Sequence, residues 1–207
     1  MRIDRAAVPY VAATLVPGAV LAVVGQAGAA GVCAVLAALF AWFFRDPERH
    51  VPSDAGAVLA PADGRVLVAG PSARVDAPPG VWQQVSIFLS PLNVHVNRVP
   101  VSGRLARVEY HPGQYLPAYR REAGVRNHRN ELWIDSAAGA VVCRQVAGVL
   151  VRRVVCRLKQ GAEVTAGDRF GIMKFGSRID LFLPVDTVLH ARPGDCVRAG
   201  ETILARL

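Results

Sequence analysis

The sequence lacks the residues that would make several functions easy to assign. Its four cysteines, Cys33, Cys143, Cys156 and Cys196, form no CxxC pair and no cluster with histidine, so no metal site is expected, zinc included. Cys143 and Cys156 could face each other across a hairpin, but buried free thiols in a reducing compartment fit their scatter better. Acidic residues are scarce: 16 Asp and Glu stand against 24 Lys and Arg, a formal charge of +8. Such a chain favours anionic partners, whether nucleic acid, phospholipid head groups or acidic metabolites. Nucleic acid is disfavoured, because neither a recognition helix nor an aromatic platform accompanies the charge. No G-x-S-x-G elbow occurs, and no lysine sits in the hairpin context of a lipoyl or biotinyl carrier.

The longest absence is of charge itself. Residues 7–44 carry no charged side chain. A bilayer core takes about 20 apolar residues in a helix, so this run supplies one long span or two short ones. Gly25 to Gly31, with Gln26 between them, reads as a break, which makes a two-helix hairpin or monotopic insertion at least as good a reading as one crossing. Arg2 and Arg5 precede the run and Arg45 and Arg49 follow it, an arrangement that favours both flanks on the cytoplasmic side. Trp42-Phe43-Phe44 suits an interfacial anchor. A cleaved signal peptide fits poorly, since the run is too long and "FFRDPER" offers no small-residue cleavage site. Residues 1–46 are therefore expected to be a helical anchor at the cytoplasmic face of the cell membrane.

Residues 47–207 read differently. "GRVLVAG", "VWQQVSIFL", "RLARVEY", "ELWID", "AVVCRQVAG" and "VLVRRVVCRL" are short runs rich in Val, Ile and Leu, most of them bounded by turn signals. They predict a mainly β domain, a compact barrel or sandwich. "GAEVTAG" from Gly161 and "GDCVRAG" from Gly194 repeat the pattern G-x-x-V-x-A-G, with glycines where the backbone needs conformations denied to other residues.

Three stretches could carry chemistry: "APADGRV" around Asp63, "SPLNVHVNRVPVSG" around His95, and "KFGSRID" around Ser177. Singly each has a plain explanation, as a turn, a core histidine and a bulge. Together they offer a carboxylate, an imidazole and a hydroxyl, the groups needed to activate a serine.

The stretches "FFRDPER", "PADGRV", "SPLNVHVNRVPVSG", "NHRN", "GIMKFGSRIDLFLP" and "GDCVRAGETILA", in this order from about residue 42 to the C-terminus, resemble the short, pyruvoyl-dependent type of phosphatidylserine decarboxylase proenzyme. The resemblance implies a carboxy-lyase of phospholipid biosynthesis that converts phosphatidylserine to phosphatidylethanolamine. It implies cleavage between Gly176 and Ser177 into fragments 1–176 and 177–207, which stay together as a heterodimer within a possible higher oligomer. Ser177 would become a covalent pyruvoyl (pyruvate) cofactor, forming a Schiff base with the lipid amine. His95 would handle protons, with Asp63 orienting and supporting it. Where longer relatives carry a second histidine this chain has Arg98, which together with Arg129 and Asn130 is expected to bind substrate. His128 stands where an acidic residue is often found. The competing expectation is a non-catalytic, membrane-anchored β module with carrier-like turns.

Overall fold

The structure, a computed structural model, describes residues 2–73, 77–149, 154–174 and 176–207. They form two compact units, Met1–Glu48 and Arg49–Leu207.

The first unit is a helical hairpin. Strand β1 (Arg2–Ile3) leads through a 3-10 turn to helix α1 (Val8–Val23), and helix α2 (Ala27–Phe43) leads to strand β2 (Arg45–Asp46), which pairs with β1. Pro9 lies in the first turn of α1, where its missing N–H has no intrahelical partner to lose. The chain breaks at Gly25, φ +80°, within the expected stretch. The helices run antiparallel. Tyr10 meets the rings of Phe40 and Phe44 at 5.4 and 5.2 Å, and Gly18 lies on Cys33, where a Cβ would come within 2.8 Å of the cysteine Cβ. Residues Arg5–Val23 are long and apolar enough to cross a membrane by length and composition, whereas α2 is shorter. Val16 and Val20 on α1 and Val35 and Leu39 on α2 are exposed, as on helices that are apolar all round.

Among its described residues the second unit is built of β-strands and loops with one helical turn. In chain order it has β3 (Ala57–Leu59), β4 (Gly64–Pro71), β5 (Trp82–Leu89), β6 (Val96–Arg98), β7 (Gly103–His111), α3 (Ala123–Arg126), β8 (Arg129–Ser136), β9 (Gly139–Val146) and β10 (Val154–Cys156). It continues with β11 (Glu163–Val164), β12 (Arg169–Met173), β13 (Ser177–Pro184), β14 (Val188–Leu189), β15 (Cys196–Val197) and β16 (Ile203–Arg206). The expected strand run "VLVRRVVCRL" lies partly outside the described residues, and its described part is β10. An eight-stranded antiparallel sheet, β11-β7-β8-β9-β13-β5-β4-β15, curls against two three-stranded sheets, β10-β12-β6 and β14-β16-β3.

That strand order is symmetric about the β9–β13 pair. Exchanging the two sides carries β11 to β15, β7 to β4, β8 to β5 and β9 to β13, and it also exchanges the two small sheets. The details obey the same exchange. The β4–β5 ladder slips between Val66 and Val68, and the β7–β8 ladder slips between Leu105 and Arg107. Val197 pairs with Gly64 as Val164 pairs with Gly103. Leu59 N–H donates to the Pro100 carbonyl and Arg98 N–H to that of Pro61, both at 2.9 Å. The repeat glycines Gly161, Gly167, Gly194 and Gly200 all have positive φ, from +73° to +99°. The unit is therefore an internal duplication, with one half (β6–β12) inserted into the other between β5 and β13.

Alternation along the strands assigns the faces. Val85, Ile87 and Leu89, Leu132 and Ile134, Val141 and Cys143, and Ile179, Leu181 and Leu183 fill the inner face and form the core. Cys143 and Cys156 are free thiols, and burial pushes both upward in pKa. The other face holds Trp82, Val142 and Phe182 at one end and charged groups further along. There Arg178 and Asp180 form a buried pair, with Nη2 donating to Oδ2 at 2.9 Å and Nε 2.8 Å from Oδ1. Ser86 donates to the same carboxylate at 2.6 Å.

Candidate active site

The β13 ladder begins at Ser177, opposite Leu89 at the end of β5. Ser177 shares the inner face with Ile179 and Leu181. It is fully buried, and its Oγ has no hydrogen-bond partner among the described residues. Leaving a buried hydroxyl without a partner costs about 1–3 kcal/mol. The residue before it, Gly176, sits in the left-handed region at φ +69°, where side chains are strained. Gly176 and Ser177 are thus not a bulge within a continuous ladder; the ladder starts after the glycine.

His95 is brought to the same end by two short chain segments. The loop from Leu89 reaches His95 in six residues, and Met173 N–H donates to the His95 carbonyl at 3.2 Å, four residues before Ser177. A turn in which Asn93 Oδ1 accepts the Ser90 N–H at 2.9 Å shapes the loop. The imidazole is fully buried, with Nδ1 2.9 Å from the Asn93 carbonyl oxygen. A carbonyl only accepts, so Nδ1 carries a proton, which in the neutral imidazole leaves the lone pair on Nε2.

Asp63 lines a pocket of about 570 Å³ together with Phe88, Ser90, Asn93 and Arg198, among others. Its partners among the described residues are Arg49 and Ala199. The Arg49 guanidinium donates to both carboxylate oxygens, at 2.9 and 2.8 Å, and the Ala199 N–H donates at 2.8 Å. Arg49, read in the sequence as a flank of the membrane segment, belongs to the β unit and also pairs with Glu201 at 3.3 Å. Burial would raise the Glu201 carboxyl, but the His50 N–H and the Arg49 charge outweigh it and hold the group below its ordinary range.

The three residues expected to bind substrate are all tied into the framework. Arg98 is buried, donates to the Gly167 carbonyl at 2.9 Å, and lies on Gly200, where a Cβ would come within 2.7 Å of its Cδ. Arg129 faces Glu131 at 3.1 Å and the Val125 carbonyl. Asn130 donates to Gln145 at 3.2 Å, and Gln145 donates to Asn97 at 2.7 Å. This buried amide row occupies the inner face one rung from Ser177, since Gln145 pairs with Ile179. Neither Gln145 nor Asn97 stood out in the sequence, because an amide inside an apolar run looks like an outward-facing position.

Around this end, Asn127 is fully buried, donating to the carbonyls of Leu116 and Ala147 at 2.8 and 2.7 Å. His128 contacts Tyr110 and stacks on Tyr115, and burial lowers its pKa. Glu109, His111 and Glu131 bring potential ligand atoms within 4.8 Å of one another, but the Glu131 carboxylate is already shared by Arg129 and Arg144.

A buried serine hydroxyl behind a left-handed glycine, with a buried imidazole tied through its carbonyl to Met173 just upstream, forms a candidate site on a β scaffold. Comparison with known proteins narrows the class. The model of the phosphatidylserine decarboxylase family matches residues 36–205. A phosphatidylserine decarboxylase proenzyme of Pelodictyon phaeoclathratiforme is 46% identical over 173 residues, covering 80% of this chain and 77% of that protein. One of Chlorobium phaeobacteroides is 45% identical, covering 93% and 88%, and one of Salinibacter ruber is 46% identical, covering 82% and 76%. The chain belongs to the phosphatidylserine decarboxylase family.

Proposed function

We propose that this protein removes the carboxylate of phosphatidylserine as carbon dioxide, leaving phosphatidylethanolamine, with a pyruvoyl group made from its own Ser177. The observation that carries the reading is the unpartnered, buried Ser177 hydroxyl directly after left-handed Gly176. Family membership and the word "proenzyme" in the relatives' names support it.

The residues present fit the manufacture of that group. Ser177 Oγ adds to the Gly176 carbonyl carbon, the C–N bond breaks, and the hydroxyl proton ends on the freed nitrogen, so an amide becomes an ester. Loss of the Ser177 Cα proton expels the Gly176 carboxylate and leaves dehydroalanine; tautomerisation and one water then release ammonia and leave a ketone. No oxidant is needed. His95, with its Nε2 lone pair, is the group that takes and returns protons. Asp63, held by the Arg49 guanidinium at 2.9 and 2.8 Å, is the carboxylate assigned to support His95 when it carries the extra proton. Once formed, the pyruvoyl carbonyl supplies an electron sink for the pair left behind by departing carbon dioxide.

The fold keeps the fragments together. Fragment 177–207 carries β13, which is hydrogen-bonded to β9 on one side and β5 on the other, so cutting before Ser177 removes no ladder. The heterodimer 1–176 with 177–207 is thus the working enzyme. The apolar hairpin holds it at the cytoplasmic face of the membrane, where the basic chain meets anionic lipid and the substrate resides.

Intact-mass measurement tests the reading. Active wild-type protein should contain no 22.1 kDa species, only two fragments, the smaller with a blocked N-terminus. Borohydride with phosphatidylserine should trap lipid on the smaller fragment. An active preparation of uncut chain would refute the proposal.

A further inference from the structure

Gly148, two residues past the end of β9, is a glycine for which local geometry supplies no reason. It is buried and its φ is not positive, so an alanine backbone fits there. Space is what forbids a side chain. A Cβ on Gly148 would stand 2.0 Å from the Gly176 carbonyl oxygen and 3.1 Å from its carbon, with the Ala118 Cβ 3.5 Å away on another side. Real Cβ atoms essentially never approach another atom so closely, and the obstacle is backbone that no rotamer change can move.

The surroundings of Gly148 are rigid. Ala147 N–H donates to the His128 carbonyl at 2.9 Å, and the Ala147 carbonyl accepts from Asn127 Nδ2 at 2.7 Å. Asn127 also makes two bonds to Leu116, with Nδ2 donating to its carbonyl at 2.8 Å and Oδ1 accepting its N–H at 2.9 Å. One fully buried amide therefore ties the 116–118 segment to the chain at 147–148. The Gly176 carbonyl rests where these two segments meet.

We propose that Gly148, walled by Ala118 and braced by Asn127, is the seat that orients the scissile Gly176 carbonyl for attack by Ser177 Oγ. The seat rests on the reading of Gly176–Ser177 as a self-cleavage site. One side of the carbonyl oxygen is pressed against the bare Cα of Gly148, so the amide plane is fixed before the reaction begins. Nucleophilic attack on an amide needs an approach to one face of the carbonyl, and misplacement of about 1 Å costs roughly 10²-fold in rate. A methyl group at residue 148 moves the oxygen by at least that much. Asn127 and Ala118 are positioning residues that act through this contact.

The test follows cleavage of newly synthesised full-length chain in detergent by mass. Gly148→Ala should cleave roughly 10²-fold more slowly than wild type, leaving uncut protein. Its thermal melt in a Ser177→Ala background should match that of Ser177→Ala alone, which separates seat from fold. Hydroxylamine, which captures an ester as a hydroxamate, should release fragment from Gly148→Ala no faster than the variant cleaves without it, because ester formation is the slowed step. Cleavage at the wild-type rate would overturn the seat, as would hydroxamate release much faster than the slowed cleavage, which would move the defect to the elimination step. Should Gly148→Ala fail to fold, Ala118→Val narrows the same space from the other wall: slowed cleavage upholds the seat, and an unchanged rate overturns it. If wild-type chain itself stays uncut, the reading of the site fails before the seat is reached.

Discussion

At the start of β7, Ser102 Oγ accepts the Ala166 N–H at 2.9 Å; at the start of β4, Asp63 accepts the Ala199 N–H at 2.8 Å. The two are equivalent positions of the duplicated half, doing the same turn-closing job. The serine stops there. The aspartate also takes the Arg49 guanidinium in a fork and presents a charge to a pocket. The same divergence recurs at the proposed cleavage site. Ser177 faces Leu89 as Gly139 faces Ser136, but Gly139 closes a tight β8–β9 hairpin, while the chain between Leu89 and Ser177 is the entire inserted half. A two-residue turn dictates the backbone at its tip. At Gly176–Ser177 no hairpin imposes its geometry, so an unusual peptide can be held by distant packing instead. Duplication gives the sheet two equivalent ends, and insertion frees one of them from hairpin geometry.

Giving each reactive position the residue of its silent counterpart tests that account. The largest effect is expected from Ser177→Gly, which copies Gly139. The chain should stay at full length, take up no borohydride-trapped lipid, and lose activity by roughly 10⁴-fold or more in a carbon dioxide release assay. Next comes Asp63→Ser, which copies Ser102 and keeps the bond to Ala199 while stranding Arg49. Removing one partner of a buried ion pair costs about 3–5 kcal/mol, and the residual Arg49–Glu201 contact places this variant at the lower end. Ser102→Ala should cost only about 1 kcal/mol by the same denaturation measurement. Equal losses would mean that the two turns differ in name alone.

The division between what could and could not be read from the chain follows the reach of each cause. The glycines of the G-x-x-V-x-A-G repeat and the break at Gly25 were legible because positive φ is a local demand that glycine meets within one turn. The strands of the β unit were legible from apolar alternation. "SPLNVHVNRVPVSG" and "KFGSRID" marked the candidate site residues His95 and Ser177. Gly148, at the end of "AVVCRQVAG", was not legible, since its reason is a carbonyl 28 residues further on. Asn97 and Gln145 were hidden likewise, each looking like a solvent-facing polar residue until a second sheet covered it. The duplication itself escaped beyond the repeated turns because "PADGRV" and "PVSGRL" share little besides proline, glycine and arginine, while the geometry they encode is the same.

Arg98→Leu installs the counterpart residue Leu59 and separates two roles for the guanidinium. With Nη1 spent on the Gly167 carbonyl, the expected outcome is a stability loss of about 1–3 kcal/mol from an orphaned buried carbonyl, with KM unchanged. A raised KM at unchanged kcat and unchanged stability would place Arg98 on the substrate instead.

The smallest effect concerns the edge where the halves differ most in cover. The counterpart of His128 is Val81, which is 61% exposed, whereas His128 is 8% exposed against Tyr110 of β7 and Tyr115 of the 112–127 connection. Burial lowers the His128 pKa, so as pH falls the unfolded chain takes up its proton before the folded one does. The folded state then binds fewer protons than the unfolded state, and stability declines as pH drops from about 6.5, the unperturbed value, toward the lowered one. Above that window the contribution is constant. Thermal melts of wild type and His128→Gln across pH 5 to 8 should therefore diverge in slope below pH 6.5, with the glutamine variant flatter. Parallel curves would show that the proton is accommodated without opening the tyrosine contacts, and that the covered edge of the inserted half is no more sensitive to acid than the open edge around Val81.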